Sequence, residues 1–346
     1  MPYSVLQPVN RRRRARRARW PILLFLAAIG AAAASLAATE HWASALRKPH
    51  PVKRAAAPKP RPTPPRRLSR LRAIVAENRA AAATPFAPGT PLLLPGKPRL
   101  EHALRAQISA PAAILVDADT GAVLWARRQR QRRPIASTTK IMTAILAIEH
   151  LSPMKVLRVN PIVPRVALGR EGLRARERVP TWKLMYGLLL FSGNDDALEL
   201  AIGVAGSKAK FLALMNEKAR ELGLADTHYT SPSGVLDRGN YSTARDLAAL
   251  ARYAMAIPKF RAIVRTRIAH VKWSAPTYAK TYVNKNQLLG TYRGADGVKT
   301  GWTTLAGHCL VASAKRGDKN LIAVVLHSPN PYGDVRRLLN FGFANS

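Results

Sequence analysis

Apolar residues follow two rhythms along the C-terminal two-thirds of this chain. Ala112-Ala-Ile-Leu-Val116 runs almost unbroken, stops at Asp117-Ala-Asp-Thr-Gly121 and resumes as Ala122-Val-Leu-Trp125, which predicts a β-hairpin. Residues 309–314 and 321–326 form a second apolar pair around Lys315-Arg-Gly-Asp-Lys-Asn320. Between these pairs the spacing becomes helical and predicts helices over 138–150, 181–191, 195–205, 209–222 and 243–256, with a closing helix over 334–343. Strands from both ends of one segment, with helices between, imply an α+β class: an antiparallel sheet packed with helices, plus a mostly helical region. A cleft is expected where the two regions meet.

The first hundred residues read differently. Residues 1–19 form a basic arm with RRRRARRAR at 11–19, and residues 20–39 are uncharged and apolar. As a helix that stretch would extend about 30 Å, the thickness of a bilayer's hydrocarbon core. Positive charge ahead of it keeps the N-terminus cytoplasmic and sends the rest of the chain outward. The expectation is a transmembrane anchor; the Ala-rich end at 31–38 leaves a cleaved signal segment as the alternative. Residues 40–100 are rich in Pro and Ala with scattered Lys and Arg, a tether with a short helix near 68–82. The catalytic domain is then 101–346.

Charge alters this picture little. Fifty-six Lys and Arg against 19 Asp and Glu give +37, and roughly half of that excess precedes residue 101. A membrane surface accounts for the arginine run, and no nucleic-acid partner is expected. Cys309 is the sole cysteine, so no intramolecular disulfide can form, and with His308 it falls short of a metal-ligand set.

The candidate chemistry lies in three short motifs whose order matters. Ser137-Thr-Thr-Lys140 places a hydroxyl and an amine one helical turn apart, so the lysine can serve as base once burial and a neighbouring cation lower its pKa. Ser192-Gly-Asn194 is a polar loop between two apolar stretches, offering a second hydroxyl for proton transfer and an amide for positioning. Lys299-Thr-Gly301 belongs in a cleft-lining strand, where its ammonium and hydroxyl suit a carboxylate and Gly301 admits a close backbone. Each motif alone is commonplace as a helix cap or turn; three in this order are not. None of the eight histidines makes a convincing Ser-His-Asp triad.

Together with IASTTKIMTA, LLLFSGNDDA, YSTARDLA, NKNQLL and GADGVKTGWT, these motifs make residues 105–345 resemble the D-alanyl-D-alanine carboxypeptidase family of serine peptidases, the low-molecular-mass penicillin-binding proteins. The resemblance implies a penicillin-binding-protein/β-lactamase-like domain that needs no metal or organic cofactor. It implies that Ser137 attacks the penultimate D-alanine carbonyl of a peptidoglycan stem peptide with Lys140 as base. Ser192 and Asn194 would assist, Lys299 and Thr300 would hold the terminal carboxylate, and the backbone N–H groups of Ser137 and Trp302 would hold the oxyanion. β-Lactams would acylate the same serine.

Three other functions compete with carboxypeptidase action. A D,D-endopeptidase cutting cross-links would carry the same motifs. A class A β-lactamase should add an E-x-x-L-N-like loop, and no such string lies between Asn194 and Lys299. An inactive wall-binding protein would form no covalent adduct with penicillin.

Overall fold

Strand β1 (Ala112–Asp117) lies at the heart of a five-stranded antiparallel sheet because it pairs on one edge with β2 (Val123–Arg127) and on the other with β9 (Lys319–Ser328). The sheet continues through β8 (Gly307–Arg316) to β7 (Ala295–Thr303), giving the order β2-β1-β9-β8-β7. Sequence-distant strands therefore meet side by side, with Ile114 opposite Val324. Both predicted apolar pairs are hairpins of this one sheet, the α+β arrangement expected. The computed structural model describes residues 98–235, 239–272 and 279–345. The basic arm, the apolar span, the short helix near 68–82 and the linker up to residue 97 lie outside the described residues.

The middle of β1 and of β9 is apolar at successive positions because the sheet is covered on both faces there. Leu321, Ala323 and Val325 point to one side with Leu115 and Trp125, where α1 (Pro98–Gln107) and α8 (Pro331–Asn345) supply Leu104, Val335, Leu338 and Leu339. Ile322, Val324 and Leu326 point to the other, into a larger core with the central helices. Asp334 ties the two chain ends together. Its buried carboxylate accepts the N–H groups of Ser109 and Ala110 and the hydroxyls of Ser109 and Ser328, at 2.7–2.8 Å.

The helical region is built on α2 (Lys140–His150), whose first eight residues are all buried. A helix that is apolar nearly all round must be surrounded, and α2 is the axis of the domain. Around it stand α3 (Thr181–Tyr186), α4 (Asn194–Ala205), α5 (Lys208–Glu221), α6 (Ala244–Ala256) and α7 (Pro258–Val264). Thr243 caps α6 by accepting the Asp246 N–H. Two small hairpins, β3 (Val156–Arg158) with β4 (Arg178–Pro180) and β5 (Ile268–Val271) with β6 (Lys280–Val283), border this region.

Two expectations change in detail, and three small elements come in addition. Helix α1 begins at Pro98, inside the span read as tether. Helix α7 and both small hairpins carry too few residues for their periodicity to stand out. The helix expected over 181–191 ends at Tyr186 and widens into a π-turn, Gly187–Phe191. That turn delivers Ser192 at φ 74 and is locked by the Gly193 N–H on the Gly187 carbonyl at 3.0 Å. Among the described residues, no helix is long and apolar enough to cross a membrane.

Candidate active site

Ser137 stands in a 3-10 turn, Ala136–Thr139, that leads into α2. The chain enters this turn through Ala136 in a left-handed conformation, φ 46, and closes it with the Thr138 N–H and hydroxyl both on the Ile135 carbonyl. This tight entry delays α-helical geometry to Lys140, two residues later than the apolar spacing predicts. Ser137 and Lys140 still face one another, with Lys140 Nζ 2.8 Å from Ser137 Oγ.

Lys140 is wholly buried, and its amine has two further neighbours: Asn194 Oδ1 at 2.7 Å and the Ser233 carbonyl at 3.1 Å. Both are oxygens that only accept. A neutral amine has two N–H bonds and one lone pair, so these acceptors take both hydrogens and leave the lone pair aimed at Ser137. The charge state follows the same logic. Burial pushes Lys140 well below the ordinary lysine pKa, and the ammonium groups of Lys299 and then Lys285 push it further.

Asn194, at the start of α4, holds Lys140 in place. Its Oδ1 accepts from Lys140 while its Nδ2 donates to the Leu168 carbonyl at 3.0 Å and its backbone N–H donates to Gly169 at 2.9 Å. The amide is thereby fixed in the rotamer that presents oxygen to the lysine. Ser192, two residues before it, is held in the left-handed region that non-glycine residues seldom adopt and is 9% exposed.

The facing wall is β7, an edge strand. Lys299 is 2% exposed and, among the described residues, its ammonium donates to the Thr300 carbonyl at 3.0 Å. Burial first, and Lys285 second, lower its pKa to about 7. Thr300 is half-buried, whereas Trp302 is 59% exposed at the cleft rim with its ring tilted against His308. Gly301 makes a close contact within the protein itself. A β-carbon there would lie 3.0 Å from both the Ile135 carbonyl oxygen and the Ser137 nitrogen and 3.1 Å from the Thr138 nitrogen. The glycine lets β7 pack directly on the turn that carries the nucleophile. Gly301→Ala is therefore expected to displace that turn and slow acylation of Ser137 roughly tenfold or more, with melting lowered by the cost of overpacking, about 1–3 kcal/mol; stopped-flow labelling and calorimetry check it.

The lowered pKa of Lys299 sets a direction for pH. As pH rises through about 7, Lys299 loses its charge in the unliganded site, and with it the attraction for a carboxylate expected from the sequence. The preference for a peptide ending in carboxylate over its amide should fall about tenfold or more between pH 6 and 9, because a hydrogen bond to a charged group contributes about 1.5–3 kcal/mol. Comparing kcat/KM for the two peptides across that range tests it.

Two participants carried no motif. Ser233 contributes a backbone carbonyl, which no side-chain pattern reveals, although Ser231-Pro-Ser-Gly234 is a turn signal. Lys285, in NKNQLL, is exposed, with its ammonium over the Phe191 ring, 4.7 Å from its centre, and adds positive charge beside both site lysines. Cys309 is buried, its thiol pushed up to about 11 by desolvation, and has no part in the cleft chemistry.

A serine held by a buried lysine on one wall and a second lysine on the facing strand define a serine acyl-transferase in which an amine replaces histidine. The chain belongs to peptidase family S11, D-alanyl-D-alanine carboxypeptidase, which it matches over residues 99–330. It is 34% identical over 245 residues to D-alanyl-D-alanine carboxypeptidase DacF of Bacillus subtilis (strain 168), covering 68% of this chain and 62% of that protein. To the D-alanyl-D-alanine carboxypeptidase of Streptomyces sp. (strain K15) it is 34% identical, covering 80% of this chain and 99% of the other. A relative from Escherichia coli (strain K12), 31% identical over 65% of this chain and 74% of its own length, is named D-alanyl-D-alanine endopeptidase. Among solved structures, Streptomyces K15 DD-transpeptidase superposes with a TM-score of 0.65 at 34% identity, covering 68% of this chain and 98% of that one.

Proposed function

We propose that this chain is a serine-type D-Ala-D-Ala carboxypeptidase that removes the terminal D-alanine of peptidoglycan stem peptides. The observation that supports it most directly is the wholly buried Lys140 amine, 2.8 Å from Ser137 Oγ with the Asn194 and Ser233 carbonyl oxygens as its other two neighbours, a setting in which a neutral amine turns its lone pair to Ser137. In this reading Ser137 Oγ bonds to the penultimate D-alanine carbonyl carbon as its proton passes to Lys140 Nζ. The oxyanion is held by the backbone N–H groups of Ser137 and Trp302. The C–N bond then breaks, and the proton on Lys140 reaches the departing D-alanine amine through the Ser192 hydroxyl. Lys140 next takes a proton from water as the water oxygen attacks the ester carbon; the bond from that carbon to Ser137 Oγ then breaks, and Oγ recovers the proton from Lys140. Lys299 and Thr300 bind the terminal carboxylate, and β-lactams, with a strained amide beside a carboxylate, acylate Ser137 in the same pose.

The names of the relatives, carboxypeptidase, endopeptidase and transpeptidase, differ in the bond attacked or the acceptor used, and the three motifs of this chain do not choose among them. Incubation with a pentapeptide stem and with cross-linked muropeptides separates the readings. Free D-alanine from the pentapeptide supports carboxypeptidase action; cross-link cleavage without it overturns that choice in favour of an endopeptidase. Multiple rapid turnovers of penicillin would favour a β-lactamase, and no adduct at all a wall-binding protein. The apolar span at 20–39 supports a location in the cytoplasmic membrane with the catalytic domain on the outer, periplasmic or extracytoplasmic side. Protease accessibility of residues 98–346 in intact spheroplasts tests that placement.

A further inference from the structure

Behind the Ser192-Gly-Asn194 turn lies a second group of ionisable side chains that the acylation chemistry does not use. Asp196, on the first turn of α4, is completely buried, and neither of its carboxyl oxygens has a hydrogen-bond donor; the same holds for Glu171 Oε2. The two carboxyls converge on Gly187. A β-carbon there would stand 2.5 Å from both Asp196 oxygens and closer still to Glu171 Oε2, so these atoms crowd around a space smaller than a methyl group. Two ionised carboxylates cannot occupy such a space without water or a cation between them, whereas one proton between them makes a strong hydrogen bond.

The surroundings say where that proton resides. Glu171 Oε1 already accepts from the Lys280 ammonium at 2.6 Å and from the Tyr282 hydroxyl at 2.7 Å, both on β6, so the oxygen left to meet Asp196 is Oε2. Asp195, the other carboxylate on this turn of α4, is occupied with the backbone N–H groups of Glu171, Gly172 and Leu173. Asp196 faces Glu171, Asp195 and, farther off, Lys280, and its burial and both neighbouring acids raise its pKa well above the carboxyl range. Asp196 therefore donates to Glu171 Oε2.

We propose that Glu171 and Asp196 share one proton and form a positioning pair that clamps the 168–173 loop to the start of α4, fixing Asn194 against Lys140. The loop is the same one whose Leu168 and Gly169 carbonyls hold the Asn194 side chain and backbone, so the pair lies one step from the base. It has a second effect on the base. A carboxylate at Asp196 would favour the ammonium form of Lys140, and the shared proton keeps that anion from forming. The consequence for acylation rests on the proposed serine chemistry; the shared proton itself does not.

The sign of the pH dependence follows. Between the ordinary carboxyl range, about 4, and its raised value, the folded chain holds a proton on Asp196 that the unfolded chain has released, so this contribution to stability falls as pH rises across that window. The test uses the full-length chain, with melting temperature and limiting acylation rate at saturating labelled penicillin measured from pH 5 to 9 for wild type, Asp196→Asn and Asp196→Ala. Asparagine keeps a donor to Glu171 Oε2 and cannot ionise. It is expected to restore acylation to within about threefold of wild type at pH 7, to melt with a shallower decline towards high pH, and to keep its acylation rate to higher pH than wild type. Alanine leaves Glu171 Oε2 without a donor and is expected to acylate at least about tenfold more slowly. Identical pH slopes of melting in wild type and Asp196→Asn would overturn the shared proton, whether or not wild type reacts with penicillin. Wild-type acylation rates in Asp196→Ala at every pH would overturn the positioning role. Absence of a wild-type adduct, with the melting slopes differing as expected, would count against the serine chemistry and leave the pair standing.

Discussion

Ser137→Ala is expected to abolish covalent labelling by penicillin and to lower D-alanine release by at least about 10⁴-fold, the scale seen when a unique nucleophile is removed. The fold should survive this change. The Ser137 hydroxyl meets Lys140 and nothing else among the described residues, and a neutral amine that loses that partner keeps both of its N–H groups bonded to Asn194 and Ser233. Melting within about 1 kcal/mol of wild type, with no adduct by intact-protein mass spectrometry, is the expected pair of results. An adduct on the alanine variant would move the nucleophile elsewhere.

Substitution of Lys140 is the second large effect, and two variants separate its causes. Arginine stays protonated and has no lone pair to offer, while methionine is similar in length and carries no charge. Both should lower the acylation rate by about 10²–10⁴-fold, the usual contribution of a positioned general base. Their stabilities should diverge. Arginine brings an obligate charge into a wholly buried position next to Lys299, whereas methionine removes a desolvated amine and leaves two carbonyl oxygens to find other partners. Loss of acylation in a methionine variant that still melts cooperatively assigns the effect to chemistry rather than to unfolding.

Much of this was legible from residue types alone, for identifiable reasons. The sheet is readable because its strands are apolar on both faces and are bounded by turns rich in Asp, Gly and Lys; Leu321 to Leu326 could be little else. The three motifs name the residues of both cleft walls, since Ser137, Lys140, Asn194 and Lys299 act through side chains at fixed short spacings. What stayed hidden acts through the backbone or across long separations. Ser233 contributes a carbonyl, Gly301 the absence of a side chain against the Ser137 turn, and Glu171 and Asp196 converge where Gly187 has no side chain. The π-turn was unreadable for a related reason: LMYGLLLF keeps a helical apolar rhythm through it.

The neutral amine is the claim on which the chemistry turns, and it can be observed without substrate. Following the 13Cε resonance of Lys140, assigned by its absence in Lys140→Arg, across a pH titration reports the charge on that one nitrogen. A midpoint far below the ordinary lysine value of about 10.4, rising when Lys299 is replaced by alanine, is the expected result. A midpoint near 10 that does not respond to Lys299→Ala would contradict it, because an ammonium at neutral pH has no lone pair with which to take the Ser137 proton.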